Sequence, residues 1–107
     1  MIGEARLGLL GLGMRAGKVV VGTNGVRAAL QRGEIALVIV AEDCSRRTEE
    51  KVVRLARAIN VPTVTGPAAR ALGHRLGRPP VQAVGVRDAQ LVAGLTDRGA
   101  PADARRT

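Results

Sequence analysis

The apolar run from Ala36 to Ala41 constrains the fold more than any other feature of this chain. It reads Ala-Leu-Val-Ile-Val-Ala and is followed directly by two carboxylates, Glu42 and Asp43. A strand with one face in water alternates between apolar and polar residues, whereas a strand covered on both faces is apolar throughout. The run therefore predicts a central strand with helices packed on both sides of its sheet.

Helices and short strands alternate along the rest of the chain. Apolar spacing and turn residues predict strands over 19–21, 36–41, 63–65 and 81–86, and helices over 4–15, 24–32, 45–59, 67–76 and 88–95. Ser45 or Thr48 caps the third helix and Asp88 the last. This order predicts an α/β protein, a three-layer α/β/α sandwich with a four-stranded mixed sheet. We expect residues 1–95 to form a single domain and 96–107, which lack apolar periodicity, to form a flexible tail.

Composition narrows the function. The 107 residues carry a formal net charge of +8 and contain no Phe, Tyr or Trp. The charge favours nucleic acid as a partner, although a GC-rich coding bias accounts equally well for the excess of Arg over Lys. The missing rings exclude RNA-binding modules that stack bases on aromatic side chains. A single Cys and the lack of a long apolar run predict a cytoplasmic protein without a disulfide or membrane segment.

One segment combines features suited to RNA. Gly22-Thr23-Asn24-Gly25-Val26-Arg27 reads as a helix start that Thr23 or Asn24 can cap. A helix start leaves backbone N–H groups unpaired and carries partial positive charge, which suits a phosphate or a base edge. Asn24 adds an amide that both donates and accepts hydrogen bonds, so it is either a simple cap or a contact to RNA.

The glycine-rich segment Gly11–Lys18 does not fit a nucleotide-binding loop. Five residues separate Gly11 from Gly17, and Val19 rather than Ser or Thr follows Lys18. Arg15 and Lys18 either make peripheral phosphate contacts beside an RNA surface or are simply solvated.

Catalytic and metal-binding sets are not apparent either. Glu42 and Asp43 are adjacent at a strand end, where side chains diverge, so Asp43 is interpreted as a helix cap. Cys44 and His74 lie on different predicted elements and complete no catalytic or metal-ligand set, so both are interpreted as structural or merely exposed. We therefore expect no enzyme activity, no cofactor and no metal.

The ordered set of segments resembles the kink-turn-binding ribosomal protein family that includes archaeal L7Ae and eukaryotic L30e. The resemblance covers roughly residues 5–95 and is greatest to the bacterial YlxQ-type branch. Three segments carry the family resemblance, namely Gly22-Thr23-Asn24, Leu37 to Asp43, and Val61-Pro62 leading to Leu72-Gly73. The branch is indicated by Gly11-Leu12, Arg15-Ala16, Lys18-Val19-Val20, Glu42-Asp43, and Leu72-Gly73 through Gly77.

This resemblance implies a non-enzymatic protein that recognises and stabilises a bent, structured RNA, such as ribosomal RNA, as a monomer linked to translation. By position it implies one RNA surface at Gly22, Thr23 and Asn24, adjoined by Gly25 and Arg27, and a second at Arg78, Pro79 and Pro80. The family's Glu and Lys on the first surface are replaced by Gly25 and Ala28. Those two losses favour an alternative, a protein-interaction subunit that docks on a ribonucleoprotein with only non-specific RNA affinity.

Overall fold

A computed structural model of the chain describes residues 4–96. The helices are α1 (Glu4–Arg15), α2 (Thr23–Gln31), α3 (Arg46–Thr48, Glu49–Val53 and Arg54–Ala58 in succession), α4 (Ala69–Arg75) and α5 (Ala89–Thr96). The strands are β1 (Val19–Val21), β2 (Leu37–Ala41), β3 (Thr63–Gly66) and β4 (Ala83–Val86). None of the helices between residues 4 and 96 is long and apolar enough to cross a membrane. Of the predicted tail, only Thr96 lies within the described residues.

The four strands form one mixed sheet in the order β1-β4-β2-β3. β4 runs antiparallel to both of its neighbours, whereas β2 and β3 are parallel. Every residue of β2 and of β4 is buried, which agrees with the uninterrupted apolar run at β2. The edge strands β1 and β3 are only partly buried.

Successive residues of β2 supply two separate cores. Leu37 and Ile39 pack with α1, α4 and α5 on one face of the sheet, whereas Val38 and Val40 pack with α2 and α3 on the other. The contacting side chains of the helices are all aliphatic and include Leu7, Leu10, Leu72 and Leu95 on the first face and Val26, Leu30, Val52 and Ala56 on the second. The predicted three-layer α/β/α sandwich is confirmed.

The helix ends show which caps the sequence indicates correctly. Ser45 caps α3 by accepting the Thr48 N–H at 3.2 Å, and Asp88 caps α5 by accepting the Gln90 N–H at 2.7 Å. Asp43 accepts the Ala69 N–H at 2.8 Å, so it caps α4, which lies 26 residues further along the chain. α4 begins at Ala69, two residues later than the position predicted from Pro67, and Asp43 binds at this first helical residue.

Gly73 positions the loop between α4 and β4. A Cβ at this residue would lie 2.8 Å from the Pro79 carbonyl carbon and 2.9 Å from the Arg78 carbonyl oxygen. Arg78 also donates its N–H to the Gly73 carbonyl at 2.9 Å. The loop therefore lies directly against the α4 backbone, in space that only glycine leaves free.

We expect Gly73→Ala to lower the free energy of unfolding by about 1–3 kcal/mol, because the added methyl forces the loop away from α4. Gly8→Ala is the matched control. A Cβ at Gly8 has no neighbour within 4 Å, so this variant should gain helix propensity of about 0.5–1 kcal/mol. Urea unfolding of both variants measures the two effects, and equal stability of the two would contradict the close approach at Gly73.

Candidate functional site

A cleft of about 310 Å³ lies where β1 leaves the sheet and β4 enters it. Three segments line it: the start of α2, the start of α3, and the end of the loop before β4. The lining residues are Gly22, Thr23, Asn24, Ser45, Arg47, Thr48, Pro80, Val81 and Gln82. The structure thus brings residues from both sequence-predicted surfaces, Gly22–Asn24 and Pro80, into one site.

Gly22 begins the helix at this cleft. Its N–H donates to the Ala83 carbonyl at 2.9 Å, next to the β1–β4 pairing, and its φ of 103° is one that residues with a side chain rarely adopt. Its carbonyl accepts the Val26 N–H at 2.9 Å, so Gly22 is the N-cap and Thr23 and Asn24 are the first two helical residues. The prediction that Thr23 or Asn24 caps α2 is therefore wrong.

The start of α2 is open to a ligand. Gly22 has no side chain, and no side-chain cap satisfies the N–H groups of Thr23, Asn24 and Gly25, which precede the first intrahelical hydrogen bond. Asn24 is exposed, and its amide makes no hydrogen bond with the residues that the structure describes. Donors, partial positive charge and a free amide at one point suit an anionic group or the polar edge of a base.

A polar network holds the three segments of the cleft together. The Gln82 Oε1 accepts the Ser45 N–H and the Thr48 hydroxyl, both at 2.8 Å. Because the Thr48 hydroxyl has one proton and gives it to Gln82, the Thr23 hydroxyl is the donor in its 2.9 Å contact with Thr48. Thr48 is 3% exposed, so its partners are protein groups rather than water.

Ser45, Arg47, Thr48 and Gln82 were not identified as site residues from the sequence. Ser45 and Thr48 were assigned as capping candidates for α3, whereas Gln82 is a polar residue inside the apolar run Val81–Val86. A polar side chain in a buried strand requires a hydrogen-bond partner, so the position of Gln82 in this run is the feature of the sequence that points to the polar network.

Other residues of the predicted surfaces lie around the cleft. Arg27 is exposed one helical turn after Thr23. Arg78 and Pro79 are exposed in the loop that leads to Pro80 but do not line the cleft. Gly25 lies against β1, where a Cβ would be 3.1 Å from Val20 Cγ1, so a glycine allows α2 to pack closely on this strand.

Arg15 and Lys18 lie at the opposite end of β1 from the cleft. Lys18 precedes the strand and Gly22 follows it, a separation of about 13 Å for four extended residues. Lys18 Nζ lies 2.8 Å from an Asp88 oxygen, and its hydrogen bond holds the pKa of that carboxyl below its ordinary value. The structure therefore places neither Arg15 nor Lys18 beside the cleft residues.

The structure gathers no obvious reactive centre in residues 4–96. No group of three His, Cys, Asp or Glu side chains within this range is arranged to hold a metal ion. His74 is exposed on α4, whereas Cys44 is partly buried in the turn after β2. Burial raises the pKa of the Cys44 thiol, and the nearby carboxylates of Glu49 and Asp43 raise it further.

We expect Gln82→Ala to lower the free energy of unfolding by about 1–3 kcal/mol, because the Ser45 N–H and the Thr48 hydroxyl lose their acceptor. The amide proton of Ser45 should also exchange faster with deuterium. Gln90→Ala, which removes an exposed amide in α5, serves as the control and should change neither measurement.

Cys44 should react slowly with iodoacetamide at neutral pH. Its raised pKa leaves less thiolate, the reactive form, than a free cysteine has, and the rate should rise only at more alkaline pH. The same protein unfolded in urea provides the comparison, because unfolding removes the burial and the fixed carboxylates. Equal rates for the folded and unfolded chains would contradict the raised pKa.

Most of the chain matches a known protein family. The model of the ribosomal protein L7Ae/L30e/S12e/Gadd45 family matches residues 5–94. The chain is 32% identical over 91 residues to RNA-binding protein YlxQ of Bacillus subtilis, covering 85% of this chain and 82% of that protein. It is 42% identical over 60 residues to RNA-binding protein YbxF of Geobacillus stearothermophilus, covering 56% of this chain and 73% of that protein.

Two solved structures share the fold. A protein of unknown function from Bacillus halodurans C superposes with a TM-score of 0.74 and 30% identity, over 83% of this chain and 94% of that one. The Giardia lamblia 15.5kD RNA binding protein superposes with a TM-score of 0.69 over 92% of this chain and 84% of that one, at 22% identity. With the family match over residues 5–94, the chain belongs to the ribosomal protein L7Ae/L30e/S12e/Gadd45 family and is similar to its bacterial YlxQ and YbxF members.

Proposed function

We propose that this chain is a non-enzymatic RNA-binding protein that recognises and stabilises a bent, structured RNA of the kink-turn type. One observation carries the proposal: the start of α2 presents unsatisfied N–H groups and the free Asn24 amide to a cleft. The formal charge of +8 and the RNA-binding relatives YlxQ and YbxF support it.

In the proposed complex, the cleft contacts the base edges and the bulged strand of the RNA. The Asn24 amide and the N–H groups at the start of α2 contact the G·A pairs of the bent RNA, and Pro80 covers the bulged strand from the other side of the cleft. Arg27, Arg78 and Pro79 extend this surface around the rim. A protein that binds the bent conformer more tightly than the straight one shifts the RNA towards the bent form.

Two family positions contribute no side chain to this recognition. Gly25 has no carboxylate to read a guanine, and Ala28 has no amine to contact a phosphate. The 3.1 Å approach to Val20 Cγ1 gives Gly25 a packing role between α2 and β1. Base discrimination then depends mainly on Asn24 and the helix start.

The setting of this activity is part of the same proposal. We infer that the chain acts in the cytoplasm as a monomer on ribosomal RNA or another RNA of translation. The family description supports the ribosomal setting.

We expect Asn24→Ala to weaken binding to a kink-turn RNA by about 5- to 150-fold, the equivalent of about 1–3 kcal/mol for one good base contact. Affinity should be measured for the intact RNA and for the same RNA with both G·A pairs replaced, at two salt concentrations. The wild-type chain should prefer the intact RNA, and the variant should lose most of that preference.

Gln31→Ala is the control, because Gln31 is an exposed amide at the far end of the same helix. It should bind both RNAs as the wild type does. Equal wild-type affinity for the two RNAs, falling steeply with salt, would overturn the proposal. That result would leave the alternative of a protein-docking subunit with only non-specific RNA affinity.

A further inference from the structure

We propose that a basic groove between α2 and α3, defined by Arg27, Arg47 and Lys51, holds the phosphate backbone of the RNA where it leaves the cleft. The proposal rests on the proposed function, because it assigns a second contact surface to the same RNA. It differs from the cleft in chemistry: the cleft offers an amide and backbone donors, whereas the groove offers positive charge alone.

One hydrogen bond shows which sides of the two helices face each other. Thr23 Oγ1 on α2 lies 2.9 Å from Thr48 Oγ1 on α3. Residues four apart on a helix lie on the same side, so Arg27 follows Thr23 on the side of α2 that faces α3. Arg27 is exposed, and its guanidinium is therefore available above the line where the helices meet.

The facing side of α3 also carries positive charge. Arg47 lines the cleft beside Thr23 and Asn24, and Lys51 follows about one turn later. Lys51 lies in the π-helical segment, whose Val52 and Val53 are buried against the sheet. Lys51 itself is only partly buried, in contrast to Val52 and Val53.

Among the described residues, the charges of the groove are unneutralised, as are those of other exposed arginines such as Arg57 and Arg70, and what sets these three apart is their position beside the cleft. At the opposite end of the sheet, Lys18 pairs with Asp88, and Arg32 and Arg87 pair with Glu34. Between residues 4 and 96, by contrast, no carboxylate forms an ion pair with Arg27, Arg47 or Lys51. Unpaired cations along a line attract a phosphate backbone and release its counterions.

The direction of the groove identifies the part of the RNA that it contacts. α2 and α3 both begin at the cleft, and Arg27 and Lys51 each lie about one turn, or roughly 6 Å, beyond it. A strand whose bases contact the cleft would continue along this line. The groove then positions the adjoining segment of the RNA without reading its sequence.

The test is the salt dependence of RNA binding by the double variant Arg27→Gln with Lys51→Gln. Neither residue lines the cleft. The slope of log affinity against log salt should become shallower by about two, roughly one for each lost phosphate contact. For Lys51→Gln alone, the ratio of affinities for the intact and the G·A-replaced kink-turn RNA should stay at the wild-type value.

The matched control is Arg57→Gln with Arg70→Gln, which removes the same charge from exposed positions outside the groove. Leu55 follows Lys51 by four residues and so lies on about the same side of α3, whereas Arg57 lies about 200° around the helix from Leu55. Arg70 lies on α4, in the helix layer on the other face of the sheet. Thermal unfolding should show that both double variants are folded. Lys51→Arg, which keeps the charge, should retain the wild-type slope.

A slope that changes no more in the groove variant than in the control would overturn the groove. A different result would overturn the proposed function, namely equal affinity of the wild-type chain for the intact and the G·A-replaced RNA. An unchanged slope together with a preference that depends on Asn24 would therefore reject the groove and keep the cleft.

Discussion

The structure depends on the pairing of β2 with β4 in the middle of a sheet that is buried on both faces. Every residue of both strands is buried, and without aromatic residues the two cores consist of small aliphatic side chains. Such strands leave room for polar groups only at their ends. The cleft lies at one of these ends, where Gly22 leaves β1 while bonded to Ala83 at the start of β4.

Local signals predicted the elements, and tertiary contacts decided their ends. The apolar run at β2 and the cap at Asp88 were predictable because each depends on residues close together in sequence. The cap of α4 was not predictable in this way, because Asp43, which accepts the Ala69 N–H, lies 26 residues earlier in the chain. Residue type favours Thr23 or Asn24 as the cap of α2. In the structure the Thr23 hydroxyl instead bonds to Thr48, and the N-cap position has a φ of 103°, which suits the glycine found there, Gly22.

The candidate site was predictable only in part, for the same reason. The likeness to the family indicated Gly22, Asn24 and Pro80, and the structure places them in one cleft. The hydrogen bond between Gln82 and Thr48 could not be predicted, since 34 residues separate them and only the tertiary fold brings them together. Lys18 is close to Gly22 in sequence but lies at the other end of an extended strand, where Asp88 pairs with it.

The polar network also links the two proposed contact surfaces. Thr23 on α2 and Thr48 on α3 are joined through hydroxyl groups, and Gln82 ties Thr48 to β4. The cleft and the basic groove therefore have a fixed relative orientation. Phosphate contacts position a nucleic acid, whereas base contacts specify its sequence. Under the proposed function, with Gly25 and Ala28 in place of two RNA-contacting residues of the family, recognition would rest more on RNA shape, because only a suitably bent backbone would reach both surfaces at once.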